Sequence, residues 1–342
     1  MAWRAVSQAV PKALWAEEET MRIHMVGISV WLAGLLGVSP GWGQNMNLGH
    51  QFASGSLPDR VARRFAEQVA EDSGGRIRIT VKADARFGDE RENVLLLRRG
   101  RLDFSVVGDL IVGELEPAYR VINMPFIYRD AAHAMAIYNG PLGQEVRDSM
   151  ARIGLHPLSW HYTGTRMLTA NRPLRNLSDL EGLVLRLPPD RAFTATWRRL
   201  GVDVRHVPFS ELGTALRLGT IAAQENPPNF IRAGKFYEHQ RYIIMTAHLP
   251  QRQFLLASGK VWNALPAERR KLIAQAARKV SEWATEVAQT ENRADLKWLL
   301  SEGHMEQVAF DPAGIARMLD EVPAQLAGEG GQAVYRRILG TH

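Results

Sequence analysis

Apolar positions along the chain switch repeatedly between a helical period and a strand-like one, and the switches fall at glycines and prolines. Residues 46–53 form a short apolar segment before Gly55-Ser56-Leu57-Pro58, and Pro58 suits the first turn of a helix. Val61, Ala62, Phe65, Ala66 and Val69 then share one helical face, and Ser73-Gly74-Gly75 stops that helix. Ile77, Ile79 and Val81 alternate with Arg78 and Thr80 as a strand does. A second helix is predicted over 89–99, ended by Gly100, and the apolar character of 102–107 fits a strand buried in a parallel sheet. One more helix and strand follow, over 131–153 and 155–160.

The second half repeats this order. Strands are predicted over 183–187, 202–207 and 220–224, with helices over 191–200 and 211–218 stopped by Gly201 and Gly219. Such alternation predicts open parallel sheets covered by helices. A faint echo of 95–103 in 214–222 suggests two lobes of similar architecture. From Pro266 to Ser301 there is no glycine and no later proline, and Leu272, Ala276, Val280, Trp283 and Val287 keep a helical period. One helix of that extent would be on the order of 50 Å long and would run across both lobes. Two helices broken near 290–292 are the alternative.

Length and composition narrow the class. A chain of 342 residues exceeds what one core usually serves, so two domains are expected, and 46% hydrophobic with 23% charged residues describes a soluble globular protein. The net charge of +6 is scattered, with no long Lys/Arg run and no aromatic RNA-binding signature, so no nucleic-acid partner is expected. A mild positive field steers small anions instead. Near the N-terminus, Met21-Arg22-Ile23-His24 precedes an apolar run over 25–38 and then Ser39-Pro40-Gly41-Trp42-Gly43. The run is shorter than the roughly 20 residues of a membrane span and reads as an export signal over 1–43, with cleavage expected after Gly43. Glu17-Glu18-Glu19 do not suit a basic leader, so translation is expected to start at Met21 or Met25, leaving 1–20 outside the gene product. The mature chain is then not membrane-spanning. Without any cysteine it has neither a disulfide nor a lipid anchor of the kind attached through one.

Candidate chemistry is concentrated in two segments. The apolar strand Leu183-Val184-Leu185-Arg186-Leu187-Pro188 carries an arginine at its end, and a guanidinium is rarely buried without an anion. That anion is either an internal carboxylate or the carboxylate of a ligand, and the strand alone leaves both open. About forty residues later, Ala223-Gln224-Glu225-Asn226-Pro227 offers an amide beside it. Enzyme signatures are missing from the sequence: it has no G-x-S-x-G elbow, no H-E-x-x-H, no P-loop and no cysteine nucleophile, and its 10 histidines are scattered.

A series of segments carries a family resemblance by order and spacing. They are 65–69 with 73–77, Phe87-Gly88-Asp89-Glu90-Arg91-Glu92, Gly100-Arg101-Leu102-Asp103, Met124-Pro125-Phe126, Gly164-Thr165-Arg166, Leu185-Arg186-Leu187-Pro188, Pro208-Phe209-Ser210-Glu211, Gln224-Glu225-Asn226-Pro227 and Lys235-Phe236-Tyr237-Glu238. Together they resemble the extracytoplasmic solute-binding subunits of TRAP transporters, the tripartite ATP-independent periplasmic carriers. The resemblance implies a two-lobed α/β periplasmic-binding-protein fold, with open mixed sheets flanked by helices, a ligand cleft between the lobes and a long C-terminal helix spanning both. Lobe I would take 44–163 and about 250–290, and lobe II 164–249 and about 291–338.

The same resemblance implies a periplasmic protein with no catalysis, and no cofactor or resident metal is expected of this chain. It would capture a small organic acid and hand it to a membrane permease of a small and a large subunit; the alternatives are a ligand-sensing partner of a membrane receptor that uses the same cleft, or an exported hydrolase. Arg186 would form the bidentate salt bridge to the ligand carboxylate, Asn226 would donate to the same group or a neighbouring hydroxyl, and Arg166 would support it. Gln51, Asp89 or Glu90, and Gly108-Asp109 match places that meet the ligand's far end. Trp160, with His161 and Tyr162, would either line the cleft or belong to the core, and Phe209 and Phe230 face the same choice. Glu225 stands where some relatives hold a cation with their ligand. Ala222 and Ala223 depart from the aspartate and glycine usual there, so the cleft's polar lining is expected to differ. Sugar acids, sialic acid, C4-dicarboxylates and 2-oxo acids all remain open as ligands.

Overall fold

The computed structural model describes residues 44–341. The export signal over 1–43 and its alternative starts lie outside the described residues. Strand β1 (Gln44–Gly49) pairs in parallel with β2 (Ile77–Lys82) and with β3 (Phe104–Gly108). Further along, β5 (Val184–Leu187) pairs in parallel with β6 (Asp203–His206) and β7 (Ala223–Asn226). Two long strands, β4 (Leu155–Ala170) and β8 (Tyr242–Ser258), lie antiparallel between these groups, and β9 (Glu306–Val308) adds to β8. The described residues thus form one nine-stranded sheet in the order β2-β1-β3-β8-β4-β7-β5-β6, with β9 off that path. The parallel outer groups follow from the alternation of strands and helices, and with the antiparallel middle, where β3 meets β8 and β4 meets β7, they make the mixed sheet that the resemblance implies.

Local chemistry fixes several boundaries. Asp89 caps the helix Glu90–Arg99: its carboxylate accepts from the backbone nitrogens of Arg91 at 2.8 Å and Glu92 at 3.1 Å, while Glu92 accepts from the Asp89 nitrogen at 2.8 Å. Gly100 closes that helix in the left-handed conformation at φ 71°. The single helix expected over 131–153 is two, Ala131–Asn139 and Pro141–Arg152, divided where Pro141 follows Gly140. Strand β4 runs well past Trp160 because a glycine lets it bend: Gly164 has φ 138°, and a Cβ there would lie 2.5 Å from both the Asn292 side chain and Pro227. The β4–β8 register shifts at this point, between Tyr162 and Gly164.

The helix Ala267–Ser301 is unbroken over 35 residues, which excludes the two-helix alternative. Its buried stripe is Ile273, Ala276, Ala277, Val280, Ser281, Ala284 and Ala288, rotated from the expected one so that Leu272, Trp283 and Val287 are only half-buried. Small side chains let the helix approach β4 closely, where Ser281 Oγ donates to Ser159 Oγ at 2.7 Å. Its apolar stripe closes one core with Met46, Leu48, Phe65, Phe104 and Leu255. A second core gathers around Leu185, Phe193, Trp197 and Phe254, and a third around Leu216, Ile231, Phe236 and Leu299. The expected lobe boundaries at 163/164, 250 and 290 fall inside β4, β8 and this helix, so the three elements run through them without a break.

Candidate functional site

A cavity of about 300 Å³ opens where the carboxyl ends of β1, β3, β5, β6 and β7 converge. That is where open α/β sheets hold ligands, and the volume sits at the small end of ligand pockets. Gln51 and Phe52 reach it from the loop after β1, Asp89 and Glu90 from the start of the helix Glu90–Arg99, and Gly108 and Asp109 from the end of β3. The opposite wall is built by Arg166, Arg186, Asn226 and Gln251, with Pro188, Phe209 and Phe230 above them.

The two arginines on that wall are both buried but differ in their partners. Arg166 donates through Nε to Glu225, through one terminal nitrogen to Gln251, and through the other to the Glu225 carbonyl and carboxylate at 2.7 Å and to Asn226 Oδ1 at 3.2 Å. Its charge is met inside the protein. Glu225 also accepts from or donates to His248 Nε2 at 3.0 Å. Burial by itself raises the Glu225 carboxyl, but Arg166 and His248 outweigh it and hold it below the usual range, while burial lowers His248 against the pull of Glu225. A neutral His248 donating to an ionised Glu225 satisfies both shifts.

Arg186 is different. Its Nε donates to the Val207 carbonyl at 2.8 Å, which fixes the plane of the guanidinium. Among the described residues no carboxylate pairs with it and its terminal nitrogens have no hydrogen-bond partner, so both face the cavity. Burial lowers it to about 10, so it stays charged at neutral pH. Beside it Asn226 is held by a donated bond to Gln224 Oε1 at 2.7 Å, and Gln224 in turn donates to Thr169 Oγ1 at 2.8 Å. One amide hydrogen of Asn226 is left for a ligand. Phe52, Phe209 and Phe230 meet edge-on, with centroids 5.9 to 6.2 Å apart, and close one side of the cavity.

Of the residues picked out in the sequence, the structure brings Arg186, Asn226, Arg166, Gln51, Asp89 and Phe209 to this cavity. Trp160, His161, Tyr162 and Glu225 do not line it. Trp160 packs on Tyr138 at 5.7 Å, and Glu225 lies fully buried behind the wall with its carboxylate taken by Arg166 and His248. The cation position beside Glu225 therefore has no free carboxylate oxygen, and the described residues contain no group of three His, Asp or Glu arranged to hold a metal. Gln251 escapes a reading by segments. Its signal is the polar run Gln251-Arg252-Gln253 inside an otherwise apolar strand, buried at 6%, 0% and 0%. Arg252 there donates to Asp109 Oδ2 at 2.8 Å and lies 3.8 Å from the centroid of Tyr138, which neutralises Asp109.

A mixed sheet with a cleft at its strand ends, and in that cleft a buried guanidinium with no carboxylate paired to it among the described residues, is an arrangement suited to holding a small anion. The chain belongs to the DctP family, the bacterial extracellular solute-binding proteins of family 7, whose model matches residues 48–327. It is similar to the sialic acid-binding periplasmic protein SiaP of Vibrio cholerae, at 30% identity over 259 residues, 75% of this chain and 81% of that one. It is also similar to the 2,3-diketo-L-gulonate-binding periplasmic protein YiaO of Escherichia coli, at 25% over 266 residues, 77% and 81% of the two chains. A solved TRAP periplasmic solute-binding protein from Polaromonas, bound to D-erythronate, superposes with a TM-score of 0.82 at 26% identity, covering 87% of this chain and 99% of that one. No helix among the described residues is long and apolar enough to cross a membrane.

Proposed function

We propose that this protein captures a small organic acid outside the cytoplasm and delivers it to the small and large membrane subunits of a TRAP permease. The observation that carries the reading is Arg186, a buried guanidinium whose terminal fork faces the cavity without a carboxylate of its own. A ligand carboxylate would accept from both terminal nitrogens, with Asn226 donating alongside and Arg166, already paired with Glu225, holding Asn226 in place. Charge-assisted hydrogen bonds contribute roughly 1.5 to 3 kcal/mol each, and a micromolar ligand needs about 8 kcal/mol in total. One fork and a few neutral contacts supply that. Gln51, Asp89 and Phe209 are assigned to the rest of the ligand, Trp160 to the core and Glu225 to the support of Arg166.

The division into lobes of 44–163 with 250–290 and 164–249 with 291–338 is proposed to work as a hinge. The β4 irregularity between Tyr162 and Gly164 supports a bend at the first boundary. Catalysis has no part in this reading, and an export signal over 1–43 would place the mature chain in the periplasm.

Titration calorimetry with a panel of organic acids tests the site. Arg186→Ala should abolish binding, and Arg186→Lys should weaken it strongly, since an ammonium cannot form the fork. Wild-type affinity in Arg186→Lys would remove Arg186 from the carboxylate.

A further inference from the structure

Besides Arg186, the cavity wall holds acids that internal ion pairs leave over. Those lining it are Asp89, Glu90, Asp109, Glu114 and Asp190. Asp109 pairs with Arg252 and Glu114 with Arg91, while Asp89 is exposed where it caps its helix. Glu90 and Asp190 belong to no ion pair among the described residues and are held by neutral donors alone. The Gly108 nitrogen donates to Glu90 Oε1 at 2.7 Å. Asp190, only 2% exposed at the start of the helix Arg191–Arg199, accepts from the Phe193 nitrogen at 2.7 Å and from Asn123 Nδ2 at 3.0 Å. It is tightly enclosed, since a Cβ at Gly113 would lie 2.9 Å from its Oδ2.

The balance of charge decides what a ligand meets. With Glu90 and Asp190 both ionised, these unpaired carboxylates outweigh the one guanidinium of Arg186, and an arriving carboxylate adds a further negative charge to the same cavity. Like charges in a partly desolvated site are strongly disfavoured, and a proton from solvent relieves them. Resting on the proposed carboxylate capture at Arg186, we infer that the cavity is also a proton-binding site: as a ligand carboxylate docks, Glu90 or Asp190 takes up a proton, so anion and proton are captured together. In the empty cavity Arg186 and Glu90 attract each other. Once a ligand carboxylate engages that guanidinium its charge is neutralised, and the carboxyls of the wall hold a proton more tightly.

Both carboxyls stand close to gaining that proton before any ligand arrives. Burial pushes Glu90 up to about 7, with Asp109 and Asp89 adding to it and the Gly108 amide and Arg166 opposing. Burial likewise pushes Asp190 up to about 7 against the Phe193 amide and Asn123, with Glu114 adding to it. The charged groups facing Glu90 are Asp89 on its own helix, Asp109 after β3, Arg166 on β4 and Arg186 on β5. Around Asp190 stand Arg191 on its own helix, Glu114 on the helix Ile111–Leu115 with its partner Arg91, Tyr138 on the helix Ala131–Asn139, and His206 at the end of β6. A carboxyl whose hold on its proton strengthens on binding takes up protons near its ligand-free value, and the anion binds tighter as pH falls.

Titration calorimetry of the wild-type protein with lactate, pyruvate, gluconate and glucuronate tests this, because their carboxyls stay ionised above about pH 6. For an acid that binds, runs at about pH 7 in phosphate and in Tris, which differ in ionisation enthalpy, count the protons exchanged. A rise of about one unit in one carboxyl starting at about 7 gives uptake of about 0.4 proton per ligand, and roughly fivefold tighter binding at about pH 6 than at about pH 8. Glu90→Gln and Asp190→Asn together, which keep the size of both side chains, should abolish the uptake and the pH dependence; should that protein not fold, the wild-type counts in the two buffers decide alone. No proton exchange or a proton release in wild type, or full uptake in the double variant, overturns the proton site. Arg186→Ala separates the two readings: binding lost in Arg186→Ala while wild type binds without proton uptake leaves carboxylate capture standing, whereas binding that survives Arg186→Ala, or none of the acids bound by wild type, overturns both.

Discussion

Arg166 and Arg186 are each only 3% exposed, yet they act on the fold in opposite ways. Arg166 has a carboxylate, two side-chain amides and a carbonyl around it, so removing its charge strands Glu225 and His248 in the interior. Breaking one side of a buried pair typically costs about 3 to 5 kcal/mol. Arg186 carries the desolvation of a charge that Glu225 and Glu90 offset only from a distance, with no carboxylate paired to it among the described residues, a cost that the ligand would relieve. Replacing each by methionine, close to it in size, should therefore split the two. Arg166→Met should lower the urea midpoint of the ligand-free protein by an amount equivalent to several kcal/mol, and Arg186→Met should leave it unchanged or raise it by about 1 kcal/mol. A midpoint that drops as far in Arg186→Met as in Arg166→Met would mean that Arg186 is a structural residue.

At the scale of elements, legibility followed solvent. The helix Glu90–Arg99 and its bounding residues were readable because Asp89, Glu92 and Gly100 are local devices that act within a few residues. Strand β8 was not readable, because it is buried on both faces for most of its length and shows no alternation. Strand β7 starts three residues and ends two residues later than its expected range for a related reason: Glu225 and Asn226 look like loop residues until partners at Arg166 and His248 are supplied by other strands. Likewise Arg186 was found by its residue type in an apolar strand, but the choice between an internal and an external anion needed the position of every acid around it. The bend in β4 was hidden in one glycine. Gly164 combines φ 138° with a 2.5 Å approach to Asn292 and Pro227, so Gly164→Ala should destabilise the protein by roughly 1 to 3 kcal/mol in urea melts. Gly154→Ala is a control at φ 85° with nothing near its Cβ, which separates backbone strain from the clash. Equal losses in the two variants would show that close contact at Gly164 contributes nothing.

Across the whole molecule, three elements run through the proposed lobe boundaries, and two ion pairs tie one of them, the helix Ala267–Ser301, to two further helices. Glu291 and Asp295 lie one turn apart on the helix Ala267–Ser301. Glu291 takes both terminal nitrogens of Arg60, at 2.9 and 2.5 Å, from the helix after β1, and Asp295 takes Arg232 at 2.6 Å from the helix after β7. The helix thus grips one element from each parallel group of strands, while the ligand cavity is walled by both groups. A ligand that bridges Arg186 and the Glu90 wall gains contacts on both sides only if they approach, so it should favour a closed form, with β4 bending near Gly164. Small-angle scattering should then show a smaller radius of gyration for wild type with its ligand, and no change for Arg186→Ala under the same conditions. Hydrogen exchange should slow at Gln51-Phe52 and at His206-Val207, which line the cavity from the two groups of parallel strands, and stay unchanged at Ile273 and Ala284, which are packed in either form. A bound ligand that leaves both the radius and the exchange at His206-Val207 unaltered would make the cleft a preformed pocket and remove the hinge.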